Sequence, residues 1–372
     1  MVKYNPENER LKKDYLQYMG ESKSKDGKTV AAIASALHRY ELFNRFRSFA
    51  KFDRRSAIAF KSHVETLTDR TGKPLALSTR VAILKAVQAF FAWLAFLPGY
   101  KSKIHAPDVT FFNVSDNDRR AAKTPALRKF PSIENVLAAI RLMPAATDID
   151  LRDRALIALT MLTGIRDNAL ISLKLKHLDL SNQRVVQDPK EIKTKRSKFI
   201  LSDFLPIGEP GESELKAVVV AYVDHLRTVL HFGEMDPVFP KTRNEQDANQ
   251  CFAVAGLSRE HWQTTQSVRT VFKAAFQRAG LPYYVPHSLR HTLTHLMMSR
   301  ALTLEQIKAW SMSLGHEHID TTVTSYGHMS PNRQSDVIKG LNAENPRAPV
   351  GLDYQALAKA LVAENAALGQ TP

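Results

Sequence analysis

Apolar residues recur at close to helical spacing along most of the chain. Asn8 to Met19 reads as a short amphipathic helix ahead of the polar loop ESKSKDGK. From Thr29 to Ala50, the positions of Ile33, Leu37, Leu42, Phe43, Phe46 and Phe49 predict a helix with Arg39, Arg45 and Arg47 on its polar face. A third helix is expected from Asp53 as N-cap to Leu67, and a fourth from Ser78 or Thr79 to Leu97, where Pro98-Gly99 stops it. Four helices joined by short polar loops predict a small bundle. Phe90, Phe91 and Trp93 fall on an apolar helix face, so they are assigned to its core and not to base stacking.

The pattern changes after that bundle. Tyr100 to Lys129 is rich in charge, contains Pro107 and Pro125 and keeps no period, which reads as a linker. Beyond it, helices are expected from Pro131-Ser132 to Met143 and from Asp148 to Leu162, with Gly164 ending one helix and Arg166 opening the next. LDLSNQRVVQ and KTKRSKFIL then approach a period of two and predict strands of a small antiparallel sheet. Helices resume over Glu212–Leu230 and Gln266–Ala279, and the tail from Ala348 carries an apolar stripe of Tyr354, Leu357, Leu361 and Leu368. The expected fold is mainly α with a small antiparallel β-sheet: an N-terminal helical bundle over 1–110, a linker over 111–130, an α+β domain over 131–345 and a tail helix over 346–372.

Charge distribution adds a partner class. Residues 1–128 hold 24 Lys and Arg against 12 Asp and Glu, and the remainder holds 28 against 25, so the excess of the net +15 is N-terminal. A basic domain joined to a nearly neutral one suits a clamp on a polyanion, with nucleic acid ahead of an anionic membrane. No apolar run reads as long enough to span a bilayer, and MVKYNPENERLKKDY lacks the apolar core of a signal peptide. A cytoplasmic location is expected, in agreement with a single cysteine, Cys251.

The candidate chemistry concentrates between Pro286 and Tyr326. His287 and Arg290 share one helical face, His316 follows a Leu-Gly turn, and Tyr326 lies near the end of the next segment. Cutting a phosphodiester without metal requires fixed cations on the non-bridging oxygens, a proton for the leaving oxygen and an in-line nucleophile. The guanidinium forks of Arg166 and Arg290 suit the first task, and histidine exchanges protons near neutral pH. A lysine in a turn suits the leaving oxygen. The Tyr326 phenol, with an ordinary pKa of about 10, is drawn towards phenolate by surrounding cations.

At these residues the second half of the chain, roughly 130 to 335, resembles the tyrosine recombinase (phage integrase) family. TGIR resembles the box of the first arginine, IKT the hairpin lysine, HSLRH the His-x-x-Arg box, LGH the second histidine, and TTVTSYGHMS the nucleophile segment, all in family order. The N-terminal bundle is similar to the family's SAM-like core-binding domain. The resemblance implies a site-specific DNA recombinase in which Arg166, Arg290 and His316 hold the scissile phosphate. Lys193 would protonate the 5′ leaving oxygen, with Lys195 an alternative beside it. His287 would assist proton transfer, and Tyr326 would form a 3′-phosphotyrosyl link. Double-stranded DNA, four protomers on two duplexes and no metal, cofactor or ATP are implied with it.

One position departs from the family pattern. Three residues after the first arginine the family carries an acid, and here Ala169 stands there, so Arg166 is expected to find a partner elsewhere. His287, His291 and His295 are four apart, but no Glu follows His287 as in a zinc-protease box and no thiol cluster accompanies them, so no metal is expected. Rival readings are a type IB topoisomerase and a DNA-binding protein of the same fold that has lost turnover.

Overall fold

The computed structural model describes residues 4–123, 129–194, 197–246 and 252–316. The chain divides into two compact units, Met1–Ala126 and Leu127–Pro372. The tail, with its predicted helix, lies outside the described residues, as do Tyr326, Lys195 and Cys251.

The first unit contains helices α1 (Pro6–Gln17), α2 (Gly27–Asn44), α3 (Arg54–Thr66), α4 (Leu77–Leu94) and α5 (Asp116–Lys123). Asn5, Asp26 and Asp53 cap the first three by accepting hydrogen bonds from first-turn amides. Their shared core is aromatic: Tyr15, Tyr40, Phe49, Phe52, Phe60, Phe90, Phe91 and Phe112 are buried, and Trp93 packs against them. Phe52 stacks on Phe91 with ring centroids 4.0 Å apart, and Tyr40 meets Phe60 and Phe91 edge-on, each at 5.0 Å. By length and composition α4 is apolar enough to cross a membrane. Its Val87, Phe90, Phe91 and Leu94 are, however, fully buried in this core. Residues expected as linker instead contribute a 3-10 segment, Ala106–Phe112, and α5, because Val109 and Phe112 complete the aromatic core.

Helix α2 stops six residues earlier than its apolar pattern predicts. Arg45 and Phe46 both adopt left-handed backbone, at φ +56° and +57°, so Phe46 and Phe49 leave the helical path.

The second unit contains α6 (Ile133–Arg141), α7 (Asp148–Thr163), α8 (Asp167–Leu170), β1 (Leu178–Asp179), β2 (Arg184–Gln187), β3 (Ile200–Asp203), α9 (Gly211–Thr228), β4 (Pro240–Gln246), β5 (Phe252–His261), α10 (Gln266–Arg278), α11 (Ser288–Met298) and α12 (Leu304–Ser313). Helix α7 runs through the middle: its nine residues from Ala155 to Thr163 are all buried, and α6, α9, α10 and α11 pack around it. A capping box of Thr147 and Asp150 starts α7, and Gly164 in left-handed backbone ends it.

Strands β1, β2 and β3 form an antiparallel sheet in that order, with Val185 facing Leu178 on one side and Ser202 on the other. The strand expected over KTKRSKFIL is confined to its last residues, and Lys193 lies in the connection before β3. A second antiparallel pair, β4 with β5, was not legible in the sequence: KTRNEQ is polar and shows no apolar alternation. Arg152 of α7 anchors it, donating to the Pro240 carbonyl at 2.9 Å and lying over the Trp262 ring at 4.8 Å.

Candidate active site

Three separated segments meet at the turn Leu314–His316 that follows α12. Arg290, on the first turn of α11, is only 2% exposed. Its guanidinium donates to the carbonyls of Gly164 and Leu314 and to His316 Nε2, the last at 2.8 Å. Arginine carries only donors, so His316 accepts through Nε2, and a neutral His316 ring then holds its proton on Nδ1. His316 is itself buried, and its amide donates to the Ser311 carbonyl at 3.0 Å.

Arg166 reaches the same turn from the other side. It is the N-cap residue of α8, in extended backbone directly after the Gly164 turn. Gly315, at φ +69°, presents a bare face: a methyl group there would lie 2.6 Å from Ile200 Cδ1 and 3.3 Å from Arg166 Nη1. Glycine is therefore required by conformation and by space, and its absent side chain is what admits the Arg166 guanidinium. Gly164 has the same double constraint, since a methyl group there would sit 2.5 Å from Leu314 Cδ2 and 3.1 Å from Leu293 Cδ1.

A buried polar chain fixes the sheet against this turn. Gln187 Nε2 donates to Ser202 Oγ at 2.7 Å, and Ser202 Oγ donates to the Ser313 carbonyl at 2.8 Å. The Asp203 amide donates to Ser313 Oγ at 2.9 Å. Sequence reasoning passed over these residues, although serines at the end of an apolar helix and inside a strand pattern are a signal of buried polar pairing.

Lys193 is exposed, and its amide donates to Ser172 Oγ at 3.1 Å, which ties its loop to the residues just after α8. His287 occupies the N-cap position of α11, with its ring perpendicular to that of His291 and 6.0 Å away. His291 is buried and stacked with Phe130 at 6.1 Å. Among the described residues no group of three or more His, Cys, Asp or Glu is arranged to hold a metal ion.

His287 also lines an open cavity of about 510 Å³ with Asp167, Arg269, Thr270, Lys273 and Tyr283. Burial pushes the Asp167 carboxyl up despite Arg269, whose Nε lies 4.0 Å from it. Asp167 thus faces α10, and Ala169, the position of the missing acid, is buried in the apolar core. Arg269 and Lys273, one turn apart on α10, are cationic lining that sequence reasoning missed; their i, i+4 spacing on an amphipathic helix was the available signal.

The phage integrase family model matches residues 134–333. The chain belongs to the phage integrase family. It is a tyrosine-type site-specific recombinase. A tyrosine recombinase XerC from Lactobacillus delbrueckii subsp. bulgaricus is 26% identical over 325 residues, covering 86% of this chain and 94% of that protein. A tyrosine recombinase XerD from Haemophilus ducreyi is 28% identical over 275 residues, covering 73% of this chain and 79% of its own length. The fold is similar to that of a lambda integrase (75–356) dimer bound to a COC′ core site, at TM-score 0.55 and 15% identity over 92% of this chain and 99% of that one.

Proposed function

We propose that this recombinase cuts and rejoins double-stranded DNA through a covalent link between Tyr326 and a 3′ phosphate. Arg166, Arg290 and His316 grip the non-bridging oxygens of the scissile phosphodiester. The Tyr326 oxygen attacks phosphorus, the bond to the 5′ oxygen breaks, and Lys193 delivers the proton that this oxygen needs. His287 assists the transfer of the tyrosine proton. The new phosphotyrosyl bond keeps the phosphodiester's energy, so a 5′ hydroxyl reverses the reaction without ATP, and the cations of the protein serve in place of a metal.

The observation that carries this reading is the convergence of Arg166, Arg290 and His316 on one glycine turn from three separate stretches of chain. Two guanidinium groups and an imidazole brought together have no role in packing that apolar side chains would not fill better. Each cut strand occupies one tyrosine, so exchange between two duplexes takes four protomers. In this reading the basic N-terminal unit helps to clamp the duplex, the protein works in the cytoplasm where its DNA lies, and 346–372 docks on a neighbouring protomer. Removing 349–372 would then weaken assembly on DNA in a gel-shift assay.

The test is a nicked suicide substrate. The parent chain traps a covalent protein–DNA adduct in the presence of EDTA, and Tyr326→Phe traps none while still binding the DNA. Ala169 favours a second reading, a DNA-binding protein without turnover, because the acid that supports the first arginine in the family is replaced by a buried methyl group. Salt-sensitive binding by the parent chain with no adduct would select that reading. Relaxation of any supercoiled plasmid by a monomer would select a type IB topoisomerase.

A further inference from the structure

Three consecutive residues of the loop before β3 are each held in place, two of them by the stretch that follows α8. Glu191 accepts from Lys174 Nζ at 3.0 Å and from Lys176 Nζ at 2.7 Å. Ile192, 2% exposed, is seated in the apolar core of the second unit. The amide of Lys193 donates to Ser172 Oγ at 3.1 Å. The first tie joins partly exposed charges and contributes little. Burial of Ile192 holds the loop as a whole, whereas the Ser172 bond acts on the backbone of Lys193 itself.

Ser172 is itself fixed. Its single hydroxyl proton is shared between the carbonyls of Asn168, 3.0 Å away, and Ala169, 2.9 Å away, both in α8. Its lone pairs are left for the Lys193 amide. From another side the Ile171 carbonyl accepts from His261 Nδ1 at 3.0 Å, which ties the same stretch to the end of β5. After Lys193 the chain turns at once. The Thr194 amide donates to the Ile192 carbonyl at 2.7 Å, closing a three-residue turn with Lys193, which is exposed, at its centre. Helix α8 therefore begins at Arg166 and, through Ser172 just past its other end, holds the apex on which Lys193 stands.

We propose that Ser172 is a positioning residue for proton delivery to the 5′ leaving oxygen: its hydroxyl locks the Lys193 turn to the helix that opens at Arg166, so phosphate grip and acid keep one spacing. The proposal rests on the reading of Lys193 as that acid. When the bond from phosphorus to the 5′ oxygen breaks, its electron pair stays on the oxygen, and Lys193 Nζ gives up one proton and becomes a neutral amine. The ammonium sits on a flexible four-carbon stem, so fixing where the stem begins raises its effective concentration at the leaving oxygen.

The test compares two nicked suicide substrates with the full chain, one carrying the ordinary 5′ oxygen and one carrying sulfur in its place. A thiol ionises at about pH 8.5, so a thiolate leaves without the proton that an alkoxide requires. Ser172 is half-buried beyond the end of α8, where the fold tolerates alanine. With oxygen, Ser172→Ala is expected to slow adduct formation about 10- to 10²-fold, a share of the roughly 10²- to 10⁴-fold that a general acid supplies and that Lys193→Ala loses. With sulfur, both variants come within a few-fold of the parent. Ser172→Thr keeps the hydroxyl and restores most of the rate with oxygen, and Ser172→Ala adds no further loss to Lys193→Ala. A parent-like rate for Ser172→Ala with oxygen, or an equal loss with both substrates, overturns the positioning role; the equal loss traces the damage to the grip of Arg166. If Lys193→Ala shows no loss with oxygen, or a loss that sulfur does not restore, the acid assignment falls and the proposal with it. An adduct lost in Tyr326→Phe still leaves the recombinase reading standing in that case.

Discussion

Arg290 and His316 are paired through the arginine's Nη2 and the imidazole Nε2 at 2.8 Å, while the same guanidinium also spans the carbonyls of Gly164 and Leu314. One side chain thus fixes the end of α7, the turn after α12 and the tautomer of the histidine. Lysine offers a single head group and cannot span these acceptors. Arg290→Lys is expected to lower the rate of adduct formation about 10²- to 10³-fold, the usual cost of one lost transition-state donor. It also strands buried carbonyls at about 1–3 kcal/mol each, so the melting temperature falls. Adduct formation within a few-fold of the parent's would remove Arg290 from the site.

The two glycines predict different failures. Gly164→Ala and Gly315→Ala each combine left-handed backbone strain with crowding, together about 2–4 kcal/mol. Leu314 and Leu293 crowd the first while Arg290 Cγ is only in ordinary contact at 3.5 Å, so its effect is mainly on stability. Ile200 and Arg166 crowd the second, so a methyl group there also displaces the guanidinium. Gly315→Ala should lose more adduct formation than Gly164→Ala at equal loss of melting temperature. Equal losses of activity would mean that Arg166 does not depend on the open face of Gly315.

The chain from Gln187 through Ser202 to the Ser313 carbonyl joins β2 and β3 to the turn that carries His316. Ser202→Ala leaves the buried Gln187 amide without its acceptor and is expected to cost about 1–3 kcal/mol. Gln187→Leu combined with Ser202→Ala removes both partners and recovers part of that loss. A double-mutant cycle by chemical denaturation should give a coupling of about 0.5–3 kcal/mol. Strict additivity would show that the two side chains do not act as a unit.

Much of the helical frame was legible because apolar period and caps agree there: Ser132, the Asp148 start, Gly164 and the Asp53 cap are all local signals. The end of α2 was not, since Phe46 and Phe49 keep helical spacing in sequence while left-handed residues turn the chain, burying Phe49 in the core by another path and leaving Phe46 half-buried against Tyr4. The β4–β5 pair escaped because its register depends on contacts such as Arg152 with Pro240, 88 residues apart. At the site, residue types and order suggested Arg166, Arg290 and His316. Their meeting at one turn depends on two glycine faces that only the folded chain reveals.

Acid should loosen the loop that carries Lys193. His177 accepts the Lys174 amide at Nδ1, 3.0 Å away, and His261 Nδ1 donates to the Ile171 carbonyl at 3.0 Å. Burial pushes both imidazoles below the ordinary value of 6.5, and nearby lysines add to it. A histidine whose pKa is lower in the folded state takes up its proton first in the unfolded chain. Stability from both residues is therefore full above pH 6.5 and is lost as pH falls from there through their folded values. Glu191, which Lys176 and Lys174 hold down at about 2, stays ionised throughout that window and cannot cause the effect. The melting temperature should be level from pH 8 to about 7 and fall below about 6.5. His177→Gln should reduce the slope, and a parent melting temperature that stays level down to pH 5 would show that neither histidine is held neutral by the fold.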